Sequence, residues 1–245
     1  MRKQIPLLLE HALRYSAEHF HLHAGIKGVC KAIAGATRST KHSLMLVLGA
    51  PLSGKTHLAV YAAEVASTTG RETHFFEGSE LLQWIAANPH ENPYEGAVSH
   101  NSAFIVDDTD RLFQHIWQRG TSALLVDFIE RCKAQQALLI FFVPKAITNY
   151  NLDSHVLSQL RGAAEYEIGA PHLSDIDPLL DLIARQRGVL LTPFKRTFLT
   201  KRITQGIPEI VECLSRLTET TASERKSSTS LTRLAEVFPP PPQTE

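Results

Sequence analysis

The sequence predicts an α/β fold in which a parallel sheet is flanked by helices and followed by a small all-helical unit. Apolar runs typical of buried strands alternate with helical patterns up to about residue 170. A glycine-rich loop separates the first central strand from its helix, and after Pro171 the chain has helical patterns without a strand pattern. A sheet of this kind places its ligand at the carboxyl ends of the strands.

The first elements surround the glycine-rich loop. An amphipathic helix is predicted over residues 24–35, a strand over 43–48 and a helix over 57–66. A turn at Gly70 leads into a second strand that ends at Glu77. Residues 79–85 follow as a helix with Ser79 as its cap, and residues 88–93 read as a loop.

Two further apolar runs complete the predicted sheet, at residues 102–108 and 137–143, with a helix over 124–133 between them. The all-helical unit is expected to contain helices over 176–187, 193–204 and 208–218. The predicted divisions are a leader (1–24), the α/β domain (25–170), the helical lid (171–237) and a proline-rich, disordered tail (238–245).

Composition restricts the classes of partner. The 245 residues include 25 basic and 25 acidic side chains, so no net field attracts nucleic acid and no direct sequence-specific DNA binding is expected. Cys30, Cys132 and Cys213 lie in apolar or helical surroundings, which predicts buried thiols in a reducing cytoplasm. No apolar run approaches the ~20 residues of a membrane span. Histidines 19, 21 and 23 alternate, and surface or packing roles are favoured over a metal site because ligand partners are missing nearby.

The segment from Gly49 to Thr56 matches the phosphate-loop pattern G-x-x-x-x-G-K-[ST]. Its glycines let backbone N–H groups face a polyphosphate, Lys55 supplies charge to the β- and γ-phosphates, and the Thr56 hydroxyl suits Mg²⁺. The sequence therefore predicts an ADP or ATP site with Mg²⁺. The predicted nucleotide-binding residues are Gly49, Ala50, Pro51, Leu52, Ser53, Gly54, Lys55, Thr56 and His57.

The run Phe104-Ile105-Val106 ends in the carboxylate pair Asp107 and Asp108. A metal-assisted phosphate site needs a carboxylate at the end of an apolar strand beside the loop. Asp107 is thus the expected Mg²⁺ partner together with Thr56. Asp108 is placed to orient a water and is a weak catalytic candidate.

With these two motifs and the helical lid, the chain resembles AAA+ ATPases of the DnaA branch. Residues 201–217 are similar to the last lid helices of DnaA-type initiators, and the resemblance extends from about residue 4 to residue 237. It implies a P-loop AAA+ sheet domain followed by a lid. Initiators of this branch carry a DNA-binding domain after the lid, whereas only a proline-rich stretch follows here, so the chain is similar to the short Hda-type regulators.

An N-terminal segment, a glutamine followed by apolar residues and a proline, looks like the clamp-binding peptide of Hda-type proteins. An alternative is a strand that packs on the domain. The resemblance implies the sliding clamp (the beta subunit of DNA polymerase III) and a DnaA-type initiator as partners, and leaves homo-oligomer formation open. The segment consists of Gln4, Ile5, Pro6, Leu7, Leu8 and Leu9.

The chain departs from the family at residues that handle the γ-phosphate. Gln159 stands at the position of the arginine that reaches a neighbouring subunit's nucleotide. For Arg161, two residues on, a finger acting in trans and a surface salt bridge both stay open, because residues two apart on a helix point to different faces. Pro208 occupies the position of the lid arginine, and residues 142–144 lack the polar sensor. These departures predict nucleotide binding with slow or no intrinsic hydrolysis. The resemblance suggests ADP as the resident ligand and leaves ATP open.

Two functions remain open at this stage. One is a regulator that acts with the clamp to promote hydrolysis of DnaA-bound ATP and so inactivates the initiator. The other is a helicase loader or adaptor in replication or transposition, which needs a surface for single-stranded DNA. A basic cluster with two aromatic residues is the candidate surface, although a solvated helix face with buried phenylalanines is favoured. Its members are Phe194, Lys195, Arg196, Phe198, Lys201 and Arg202.

Overall fold

The computed structural model describes residues 20–87, 98–204 and 206–223, with side chains up to residue 218. These residues form two compact units. The α/β unit comprises residues 27–87 and 98–168, and the helical unit comprises residues 20–26, 169–204 and 206–223. The predicted clamp-binding peptide at residues 4–9, the loop at 88–93 and the proline-rich tail lie outside the described residues.

The α/β unit alternates strands and helices, as predicted. Its strands are β1 (Ser43–Leu48), β2 (Glu72–Glu77), β3 (Ser102–Asp107), β4 (Leu138–Val143) and β5 (Ala164–Glu167). Its helices are α1 (Lys27–Arg38), α2 (Lys55–Thr68), α3 (Glu80–Ala87), α4 (Thr109–Arg119), α5 (Ser122–Ala134) and α6 (Ser154–Leu160).

The five strands form one parallel sheet in the order β2-β3-β4-β1-β5. Leu48 at the end of β1 lies opposite Val143 at the end of β4, and Val106 near the end of β3 lies opposite Phe141. The loop after β1 and the carboxylates after β3 therefore emerge at the same edge of the sheet, on either side of β4.

The core of this unit is aromatic and centres on β3. Every residue of β3 and of β4 is buried, as expected for central parallel strands with helices on both faces. Phe104 stacks on His74 at 4.9 Å between ring centroids, and Phe128 meets it edge-on at 5.0 Å. Trp84 contacts the same ring at 5.4 Å.

Two elements escaped the sequence prediction. Strand β5 has the sequence Ala-Glu-Tyr-Glu and no fully buried residue, because it is an edge strand and lacks an apolar run. Helix α4 follows Asp108 directly and buries Leu112, Phe113 and Ile116 on one face. The amphipathic spacing of these residues is present in the sequence.

The helical unit contains α7 (Leu173–Gln186), α8 (Pro193–Thr200) and α9 (Ile207–Ser223). Thr192 caps α8 by accepting a hydrogen bond from Lys195 N–H, and α8 ends at Thr200, four residues before its predicted end. The core is built from apolar side chains of all three helices, including Leu180, Leu199 and Leu214.

Histidine and cysteine side chains have packing roles in the described residues. His23 is 3% exposed, and burial lowers the pKa of its imidazole. Within the described residues, no group of three or more histidine, cysteine or acidic side chains is placed to hold a metal ion. All three cysteines are buried and unpaired, and burial raises the pKa of Cys30 to about 11. No helix among the described residues is long and apolar enough to span a membrane.

We expect Phe104→Ala to lower the free energy of unfolding by about 3–5 kcal/mol, because it removes a fully buried ring from an aromatic cluster. Urea denaturation followed by tryptophan fluorescence measures the change. The matched control is Phe75→Ala, whose ring is 37% exposed, with an expected loss of about 1 kcal/mol or less. Equal losses in the two variants would contradict this account of the core.

Candidate nucleotide site at the carboxyl edge of the sheet

The phosphate loop joins the end of β1 to the first turn of α2. Gly49 N–H donates to the Val143 carbonyl at 3.0 Å, which fixes the start of the loop to the end of β4. Leu52 and Gly54 both have positive φ, at 63° and 94°, and Gly54 is the N-cap of α2 without a side-chain cap. The first-turn N–H groups of a helix have no intrahelical partners, so this turn presents donors to an anion.

Close packing favours glycine at position 49, because a larger residue would force neighbouring side chains to shift. A Cβ atom there would lie 2.4 Å from Ser53 Oγ and 2.8 Å from Ile168 Cδ1, well inside normal contact distance. At position 54 the requirement is conformational, because φ of 94° is a region that residues with a side chain rarely adopt. The two glycines of the motif thus serve different physical purposes.

Lys55 folds back over the loop that precedes it. Its Nζ donates to the carbonyl oxygens of Gly49 and Ala50 at 2.7 and 2.9 Å. Burial lowers the pKa of this ammonium, and the charges of Asp107 and Asp108 oppose the shift. The ammonium is therefore held at the mouth of the loop, where phosphate oxygens can replace the two carbonyls.

Thr56 and Asp107 meet where α2 begins and β3 ends. Asp107 is 3% exposed, and burial raises the pKa of its carboxyl although the Thr56 side chain hydrogen-bonds to it. Its Oδ1 is buried and has no hydrogen-bond partner among the described residues. A hydroxyl beside a carboxylate with an unpaired oxygen fits a divalent cation that prefers oxygen ligands, so these two residues would hold Mg²⁺.

Asp108 has a different environment from its neighbour. It is the N-cap of α4 with φ of 46°, its side chain is 45% exposed, and Oδ2 lies 3.7 Å from Arg111 Nε. Gly78 N–H donates to the Asp107 carbonyl at 2.9 Å, which ties the turn after β2 to the end of β3. Asp108 therefore faces solvent near the site, where it can contact a water.

Two candidate residues were missed by the sequence analysis. Asp110, in the first turn of α4, is a third carboxylate whose charge raises the pKa of Lys55. Lys145 follows β4 almost directly, and its Nζ lies 4.6 Å from the centre of the Tyr150 ring. The Tyr150 hydroxyl is buried without a hydrogen-bond partner in the described part of the chain. The proximity of Lys145 to the end of a predicted strand was a signal that could have identified it.

The predicted finger positions lie at the end of α6. The Gln159 side-chain amide donates to the Glu130 carboxylate on α5, so it is engaged within the unit. Arg161 is the C-cap of α6, and its side chain is exposed. Of the two, only Arg161 presents a charge to the surroundings.

The basic side chains Arg196 and Arg202 of the helical unit have local partners. Pro208 lies in the first turn of α9, where its missing N–H is harmless. Arg196 pairs with Asp177 and Asp181, at 2.5 and 3.2 Å, and the Arg202 guanidinium lies 3.7 Å from the centre of the Phe198 ring. The expectation of buried phenylalanines is wrong for Phe194, which is 64% exposed at the start of α8.

We expect Asp107→Asn to stabilise the nucleotide-free protein at neutral pH by about 1 kcal/mol, because it removes a buried charge with an unpaired oxygen. The native carboxyl has a raised pKa, so the folded state binds its proton more tightly than the unfolded state does. The penalty from the ionised carboxyl is therefore present at neutral pH and disappears as the pH falls toward ordinary aspartate values. Thermal unfolding from pH 7 to pH 4 measures the difference.

Asp108→Asn is the matched control for that measurement, because its side chain is half-exposed and asparagine tolerates positive φ. The free energy of unfolding of this variant is expected to stay within about 1 kcal/mol of that of the original protein at every pH. A destabilised Asp107→Asn protein at pH 7 would contradict the assignment of an uncompensated charge.

Known proteins resemble this chain in structure. No family model and no curated protein sequence matches it. Domain III of the replication initiation protein DnaA from Thermotoga maritima has a TM-score of 0.68 at 12% identity, over 93% of this chain and 98% of that chain. AMPPCP-bound DnaA from Aquifex aeolicus has a TM-score of 0.62 at 14% identity, over 86% and 70% of the two chains.

The Thermotoga maritima RuvB Holliday junction branch migration motor also resembles it, with a TM-score of 0.58 at 16% identity over 91% of this chain and 72% of that chain. Identities this low establish the fold and leave activity and partners open. The predicted fold class is confirmed: the chain has an AAA+ fold, with a five-stranded parallel sheet flanked by helices and a helical part.

Proposed function

We propose that this chain is a nucleotide-binding AAA+ regulator of chromosomal replication initiation. The observation that carries the nucleotide site is the assembly of Lys55, Thr56 and the unpaired Oδ1 of Asp107 at the edge where the loop opens. Backbone N–H groups of the loop and of the first turn of α2 bind the phosphates of ADP or ATP. Lys55 neutralises their charge, and Thr56 with Asp107 holds Mg²⁺, which screens the phosphates when bound.

The regulatory part of the proposal rests on the residues next to this phosphate-binding site, which lack groups that promote hydrolysis. Asp108, which directly follows the proposed metal ligand Asp107, is drawn toward Arg111, whose Nε lies 3.7 Å from Asp108 Oδ2. Residues 142–144 end β4 with two apolar side chains and a proline, which offer no hydrogen bond to a γ-phosphate. Such a site retains a nucleotide and hydrolyses it slowly, so the nucleotide serves to set conformation.

A regulator of this kind acts on the ATPase of another protein. We infer that the partner is a DnaA-type initiator, because the shared fold extends over nearly all of a DnaA domain III. Arg161, exposed at the end of a helix, is the cation that would reach a neighbouring subunit's nucleotide. The sliding clamp is the second proposed partner, through Gln4 to Leu9.

The loader alternative has less support. It depends on free basic groups beside aromatic side chains, and within the described residues Arg196 is held by two carboxylates while Arg202 lies on Phe198. Phe194 remains an exposed aromatic side chain, but a single ring does not make a stacking surface. The regulator is therefore the function we propose.

We expect the purified protein to bind ADP with Mg²⁺ and to hydrolyse ATP well below about 1 s⁻¹, the low end of ordinary enzyme turnover. Lys55→Ala should weaken ADP binding ~10- to 100-fold, because it removes a charge-assisted hydrogen bond. Calorimetric titration measures both proteins, and Lys31→Ala, an exposed lysine on α1, is the charge-matched control. Equal affinities for the Lys55 and Lys31 variants would refute the site.

We also expect the protein to accelerate hydrolysis of DnaA-bound ATP in the presence of the sliding clamp on DNA. Arginine fingers contribute ~10³- to 10⁵-fold in related phosphoryl transfers, so Arg161→Ala should abolish the acceleration. Gln159→Ala should leave it intact, because Gln159 is engaged with Glu130. Phosphate release from radiolabelled DnaA-ATP is the measurement.

The clamp requirement is tested separately with Gln4→Ala combined with Leu7→Ala. The double variant should lose both clamp binding and acceleration while ADP binding stays unchanged. An unchanged rate of DnaA-ATP hydrolysis with the original protein would overturn the regulatory proposal, whereas the nucleotide site would stand.

A further inference from the structure

A second polar pocket lies at the amino edge of the same sheet. It has a volume of about 280 Å³ and lies where α1 and α2 end and where β2 and β3 begin. Because six-residue strands are about 20 Å long, this edge is separated from the phosphate loop by the full length of the sheet. The pocket is lined by Thr37, Arg38, Ser39, Thr40, Thr69, Arg71, His100 and Asn101.

Arg71 is the most deeply buried charge in this lining, at 8% exposure. Its Nε donates to the Thr37 carbonyl at 2.7 Å and its Nη1 to the Ser102 carbonyl at 3.3 Å. Its Nη2 donates to the carbonyls of Ser39 and Ala36. The guanidinium thus joins the end of α1 to the start of β3 through neutral acceptors alone, and one of its five N–H donors remains available.

Arg71 has no carboxylate partner among residues 20–87, 98–204 and 206–223. The adjacent Glu72 accepts from Ser99 Oγ at 3.3 Å and lies 3.5 Å from His74. A buried charge is ordinarily paired, because desolvation of an isolated ion is costly. Burial also lowers the pKa of Arg71.

The charges that face the pocket add up to a positive site. The pocket lies at the carboxyl ends of two helices, which together carry roughly one negative charge and offset much of the Arg71 charge. Arg38 adds a second full charge from the last residue of α1, and His100 adds a ring with two nitrogens. No acidic side chain belongs to the described lining.

Three neutral side chains of the lining are hydrogen-bonded within its walls. Thr37 and Thr69 hydroxyls donate to the carbonyls of Ala34 and Ala66 at 3.1 and 2.8 Å, and Asn101 Nδ2 donates to the Gly70 carbonyl. These bonds hold the walls in place without using the cations. The pocket therefore offers a ligand positive charge from the buried Arg71 and from the exposed Arg38.

We propose that this pocket binds a phosphate oxyanion, either the free ion or the phosphate of a small ester, independently of the nucleotide site. Its volume is just below the roughly 300–1,000 Å³ of pockets for drug-sized ligands, which suits a phosphate with few attached atoms. The bound anion neutralises Arg38 and Arg71 together and takes the remaining Arg71 N–H. It thereby fastens α1 to the amino ends of β2 and β3.

The test uses the full-length protein saturated with ADP and Mg²⁺, so that the phosphate loop is already filled. Inorganic phosphate is titrated at constant ionic strength, and backbone amide shifts are followed by heteronuclear NMR. The expected result is saturable shifts at residues 38–40 and 100–101 with half-saturation at or below about 1 mM. Glycerol 3-phosphate in a parallel titration distinguishes the sources: tighter binding of the ester identifies a small metabolite, and tighter binding of phosphate identifies the free ion.

Arg38→Ala is the variant that tests the site without removing the bonds of Arg71, and it should weaken phosphate binding at least tenfold. Lys31→Ala, an exposed lysine on the same helix, should leave it unchanged. Shifts confined to residues 49–57, no saturation below about 10 mM, or equal weakening in both variants would overturn the proposal. Because ADP occupies the loop throughout, failure here does not bear on the proposed nucleotide site.

Discussion

The buried carboxylate of Asp107 is the constraint that the carboxyl edge of the α/β unit has to accommodate. It lies at the end of a strand whose residues are all buried, where an unpaired charge is costly. Three groups reduce that cost, namely the Thr56 hydroxyl, the Asp108 backbone N–H and the charge of Lys55. One carboxylate oxygen nevertheless stays without a hydrogen bond in the described structure. Stability alone would favour an apolar residue here, and the unpaired oxygen is what the proposed metal-bound nucleotide would use.

The parallel register is what brings these groups together. The hydrogen bond from Gly49 to Val143 sets where the loop starts, and the pairing of β3 with β4 sets where Asp107 ends. A slip of one residue in either pairing would turn the alternating side chains to the other face of the sheet. The aromatic packing around Phe104 opposes such a slip, because a displaced ring would leave its contacts with His74 and Phe128. The aromatic core thus helps to keep the strand register that places Asp107 beside the loop at the carboxyl edge of the sheet.

The sequence was sufficient to predict the parts of the fold whose signals are local. The loop, β1 and β3 are short runs that carry their own pattern, and their limits were predicted to within a residue. Strand β5 was missed because its stability comes from pairing with β1, which supplies what its polar sequence lacks. The partners of Arg71 lie 31 to 35 positions away along the chain, and no periodicity reveals them. Motifs within short segments could therefore be predicted from the sequence, whereas contacts between distant segments could not.

The zero net charge of the chain conceals a separation of charge within the α/β unit. Asp107, Asp108 and Asp110 lie at the carboxyl edge around a single lysine of the loop. Arg38 and Arg71 lie at the amino edge without an acidic partner in the described lining. Arg111 lies beside Asp108 and Lys145 follows β4, so cations and carboxylates are mixed at this edge, where a divalent cation would complete the charge balance around the proposed nucleotide. The cations of the amino edge have no such acidic neighbours within the described lining. The sheet therefore keeps two electrostatic environments apart, and the two proposed sites depend on this separation.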